Sequence, residues 1–172
     1  MRVSGFFANA FVMATIGALS LLGAEQQTRP VVPLVGGTEL TALEESVALT
    51  PDAHGVFKLA SAYLDRGEPG LATAALERAT PVMRTRPEVR YAEARSLFGQ
   101  GRVAEALAAS RALRDTCDAD ECAPWLSAKT ARQVAFLEEV DAAGIEDPAA
   151  APEATRQAYE RSLRRVYMVA MR

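Results

Sequence analysis

The chain has 172 residues, enough for one domain with a modest core, and 49% apolar with 24% charged residues excludes wholesale disorder. A formal net charge of −3, from 19 basic and 22 acidic residues, lacks the basic excess expected of a nucleic-acid binder. Aromatics make up 6%, the apolar share rests on Ala, Leu and Val, and no alternating β-branched run occurs, so the composition predicts an all-α chain.

Arg2 precedes an uncharged apolar run from Val3 to Ala24. A positive charge followed by such a run is the pattern of a signal peptide or an N-terminal membrane anchor, so residues 1–24 are read as one of these. At about 20 residues the run is long enough to span a bilayer. Ala18-Leu19-Ser20 suits signal cleavage, and Ala24 stands where a lipoprotein would carry its lipidated Cys. Both readings place the remainder outside the cytoplasm: periplasmic or extracytoplasmic, secreted or anchored by residues 3–24. Residues 25–37, with Pro30, Pro33 and Gly36-Gly37, read as an extended linker.

Helical periodicity begins near Thr38. The segment from Leu43 to Asp52 comes first and contains Pro51. Two longer stretches, Ala53–Thr80 and Pro87–Arg114, then share a pattern. Aligning Gly67 with Gly101 sets an offset of 34 residues, and in that register Ala60 meets Ala94, Tyr63 meets Leu97, Ala72 meets Ala106 and Ala79 meets Leu113. Each match has a physical reason. Small residues let two helices approach closely, and a glycine takes the positive φ that a tight turn demands. Pro69 falls in a first helical turn, where its missing N–H costs nothing.

These residues resemble the tetratricopeptide repeat (TPR) family over about Thr38 to Arg114. The resemblance implies a short stack of antiparallel helical hairpins: a half repeat at 38–52, then repeats at 53–86 and 87–114. There are departures. The fourth position, often Trp in the family, is Val56 and then Arg90, and the seventh, usually Leu, is Leu59 and then Glu93. Pro81 is expected to shorten or kink the second helix of its repeat.

A stack of two hairpins leaves an apolar end that needs a cap. After a Cys-flanked loop at 115–123, residues 124–172 read as C-terminal capping helices. Pro124–Ala143 carries Leu126, Val134, Leu137 and Val140 at helical spacing. Gly144–Pro152 reads as a loop, and Glu153–Met171 as a final helix with Tyr159, Leu163, Val166, Tyr167 and Ala170 along one side.

The chain has a single histidine, His54, and two cysteines, Cys117 and Cys122. It has no Gly-rich phosphate loop, nucleophile elbow or zinc-binding His-Glu-x-x-His helix. Two Cys and a distant His are too few for a zinc site. The expectation is a non-catalytic chain without metal or cofactor. In an exported protein the local cysteine pair reads as a structural disulfide, worth about 2 kcal/mol by loop entropy. A redox dithiol has two intervening residues, and here there are four. Arg161, Arg164 and Arg165 read as cations complementing a helix C-terminus.

The resemblance further implies a partner groove on the concave, first-helix face, with Phe57, Ser61, Leu64, Asp65, Tyr91, Arg95 and Phe98 along it and His54 and Glu88 at its mouth. The expected function is a protein–protein interaction module, a scaffold or adaptor in the cell envelope holding a peptide or protein there. An accessory subunit of an envelope enzyme complex, or a spacer without a groove, are the alternatives. Membrane contact is expected through the N-terminal segment if it is uncleaved, and no nucleic acid is expected.

Overall fold

The computed structural model describes residues 37–170. The expected signal or anchor at 1–24 and residues 25–36 of the linker lie outside the described residues, as do Met171, Arg172 and the side chains of Tyr167 and Ala170. Among the described residues the fold is all-α, with no strand: α1 (Gly37–Leu49), α2 (Ala53–Asp65), α3 (Pro69–Glu77), α4 (Pro81–Arg84), α5 (Pro87–Gly99), α6 (Val103–Thr116), α7 (Pro124–Ala142) and α8 (Pro152–Ala170). No helix among them is long and apolar enough to cross a membrane.

Local chemistry sets the boundaries. Asp52 caps α2, its Oδ1 accepting from the Gly55 N–H at 2.9 Å. Proline occupies the first turn of α3, α4, α5 and α7. The helix expected to be shortened by Pro81 stops at Glu77, and Thr80 caps α4 by accepting from the Met83 N–H at 3.3 Å. The stretch expected as a Cys-flanked loop is largely helical instead. α6 runs through Thr116, and Cys117–Glu121 form one π-helical turn. A local turn suits a cysteine pair five residues apart, and the two sulfurs lie at bonding distance, 2.08 Å, as a disulfide.

Three hairpins follow one another: α2–α3, α5–α6 and α7–α8. Their turns share one geometry. Gly67, Gly101 and Gly144 take φ of 75°, 77° and 65°. Each glycine N–H, and the N–H that follows it, turns back onto the helix. Gly101 N donates to Phe98 O at 3.0 Å and Arg102 N to Leu97 O at 3.0 Å, and Gly144 N and Ile145 N do the same to Asp141 O and Val140 O. This satisfies carbonyls that the helix end leaves open.

Close approach within the hairpins rests on alanine: Ala60, Ala72, Ala94 and Ala106 are each fully buried. α1 packs on α2, where the Tyr63 hydroxyl donates to Glu44. The first core joins α1, α2, α3 and α5 around Val47, Val56, Leu59, Leu76 and Val89. α6 packs on α7, with Leu107 against Leu137 and Val103 in a cluster with Val140, Ile145 and Ala158. Ion pairs reinforce this end. Glu138 of α7 meets Arg111 of α6 at 3.2 Å and Arg165 of α8 at 3.1 Å, and Glu139 meets Arg161 at 3.0 Å. Arg161 and Arg165 thus bind the neighbouring helix rather than only complementing their own.

Candidate docking groove

α2, α5, α7 and α8 enclose a groove of about 610 Å³, within the range of sites that hold a small ligand or the anchoring side chains of a peptide. Of the residues expected there, Leu64, Tyr91, Arg95 and Phe98 line it together. Leu64 and Phe98 occupy equivalent positions in the 34-residue register, so the two helices present matched side chains to one space.

Phe57, Ser61 and Asp65 do not line it. Phe57 packs on the first core and sets its ring 6.1 Å from that of Trp125, at the start of α7. Both aromatics lie near the N-terminal ends of their helices, and Phe57 is half-buried against a Trp125 that stays partly exposed. The Ser61 Oγ is buried with no hydrogen-bond partner among the described residues. Asp65 is exposed and accepts from Arg95 Nη2 at 2.8 Å. His54 is exposed at the start of α2, and Glu88 pairs with Arg86 at 3.4 Å.

Half of the groove wall comes from the helices expected only to cap the stack. α7 supplies Lys129, Arg132, Gln133 and Phe136, spaced so that they share one helix face. α8 supplies Tyr159, Ser162, Leu163 and Val166. Phe98, Phe136 and Tyr159 form an edge-to-face chain, with centroids 5.2 and 5.8 Å apart, that ties α5, α7 and α8 along this side. The groove surface is therefore mainly aromatic and aliphatic.

Its charge is one-sided. Arg95, Lys129 and Arg132 line it, and among the described residues no Asp or Glu does. Lys129 Nζ sits 5.4 Å from the Trp125 ring centroid. Among the described residues Arg132 donates only to the Ala128 carbonyl of its own helix, at 3.2 Å. Burial holds the Tyr91 hydroxyl above its ordinary pKa, and the fields of Arg95 and Arg132 oppose that rise. Gln133 Oε1 is buried without a hydrogen-bond partner among the described residues. Among the described residues no three His, Cys, Asp or Glu gather to hold a metal.

Comparison with known protein families, curated proteins and solved structures finds no match to this chain.

Proposed function

We propose that this chain is a divergent tetratricopeptide-type protein that holds a peptide or protein segment in the groove, acting as a non-catalytic scaffold or adaptor in the cell envelope. The observation that carries the reading is the groove itself, where Leu64 and Phe98, one repeat length apart, face a common space with Tyr91 and Arg95. The cysteine pair at bonding distance suits an oxidising compartment, in keeping with the apolar N-terminal run. If that run is retained, it also fixes the protein to the membrane.

Phe98 also packs in the core beside Phe136, so replacing it would confuse folding with binding. Tyr91 and Leu163 are only half-buried and make better probes. Affinity capture from envelope extracts should recover a partner with the full chain and lose it with Tyr91→Ala/Leu163→Ala, while the helical circular dichroism is kept. Equal recovery with the folded variant would remove the groove from the function.

A further inference from the structure

The groove restricts the chemistry of its occupant. Its floor is apolar, so the occupant presents apolar side chains. Lys129 and Arg132 are exposed on its rim and, among the described residues, neither is paired with a carboxylate. Arg95 is already partly neutralised by Asp65, so the unbalanced charge belongs to α7. An occupant with carboxylates at that edge gains attraction, and one with cations meets repulsion.

Gln133 makes a third demand. It shares the α7 face with both cations, and its buried Oε1 lacks a donor among the described residues. Rotation of that amide toward the groove would let it pair with a peptide backbone, whereas the alkyl chain of an anionic lipid offers no partner.

We propose that the groove takes an acidic, apolar peptide segment, its apolar side chains on the aromatic floor and its carboxylates against Lys129 and Arg132. The inference rests on the peptide-docking reading above and adds the sign of the charge and the class of the partner.

The test uses the full chain and a synthetic amphipathic peptide of leucine, phenylalanine and glutamate, with a second peptide carrying lysine for every glutamate. Calorimetry should show the glutamate peptide binding about tenfold tighter or more, since two exposed charge pairs each contribute modestly. The gap should narrow as salt is raised. Lys129→Glu/Arg132→Glu should invert the preference. Lys58→Glu/Arg164→Glu, an equal charge change at exposed residues off the groove, should preserve it.

Equal binding of both peptides would overturn the charge assignment and leave peptide docking standing. Inversion by the off-groove variant would overturn it too, by showing that net charge alone decides. Binding of neither peptide would overturn both readings. Binding of dodecanoate by a chain that ignores the glutamate peptide would replace the peptide with an anionic amphiphile.

Discussion

Position 93 is a glutamate where the register of the preceding hairpin places Leu59. Leu59 is 1% exposed, while Glu93 is half-buried and desolvation holds its carboxyl above the ordinary carboxylate range, opposed by the fields of Arg84 and Arg90. The sign of the linkage follows. Between the unfolded and the raised folded pKa, the native state keeps a proton that the unfolded chain has lost, so stability falls as pH rises through that window. Above it, the native state carries the full cost of an ionised, partly dehydrated carboxylate. Glu93→Gln should therefore raise the melting temperature at neutral pH by about 1–3 °C, and the gain should vanish below the ordinary carboxylate range. Glu93→Leu should gain more, about 1 kcal/mol, by restoring the apolar contact that Leu59 makes. Thermal melts of the three chains at two pH values decide this, and a gain independent of pH would show that ionisation is not the cause. Ser110, where the first hairpin carries buried Leu76, is a parallel departure: its hydroxyl is buried without a partner among the described residues.

Between helices, two nearby glycines are required for different reasons. Gly101 has φ of 77°, and an added Cβ would meet nothing closer than 3.9 Å, so its constraint is conformational. At Gly99 a Cβ would stand 2.8 Å from the Pro69 Cβ, which would push the start of α3 away from α5. Alanine at either site should destabilise, by about 1–2 kcal/mol at 101. Asparagine separates the causes. It tolerates the left-handed region, so Gly101→Asn should lose less than Gly101→Ala, whereas Gly99→Asn should lose at least as much as Gly99→Ala. Urea denaturation measures all four, and the same order at both sites would refute the distinction. The register made Gly67 and Gly101 legible as turns, because positive φ and a fixed period leave a mark in sequence. Gly144 has the same turn geometry but falls off the period, since α7 spans 19 residues against 13 for α2 and α5, so in sequence it marks only the start of a loop. The π-helical turn at Cys117 escaped because acidic residues between two cysteines read equally well as a loop.

Over the whole folded unit, the α7–α8 hairpin both closes the stack and builds half of the groove. Only the half on α2 and α5 was legible, because the 34-residue register reaches no further than Arg114. The spacing of Lys129, Arg132, Gln133 and Phe136 marks one helix face, yet only packing reveals that this face meets Tyr91 and Leu64. The position of Phe57 is hidden for the same reason, its contact with Trp125 being fixed by how α7 crosses the stack. That contact joins the last hairpin to the first, beside the Leu107–Leu137 contact between α6 and α7. Stacked hairpins unfold together only while such interfaces outweigh the tendency of each to open alone. Trp125 is the single tryptophan, so its fluorescence reports α7 while far-UV circular dichroism reports every helix. In the native chain the two signals should change at the same urea concentration. Leu137→Ala removes a side chain that is 1% exposed, at a cost of about 2–5 kcal/mol, and loosens α7 where it packs on Leu107 of α6. In that variant the Trp125 transition should move to lower urea than the circular dichroism transition, and the glutamate peptide should lose binding over the same range. Coincident transitions in the variant would mean that the hairpins are coupled more tightly than the α6–α7 contact accounts for. Separate transitions in the native chain would make α7–α8 an independent unit that docks to complete the groove.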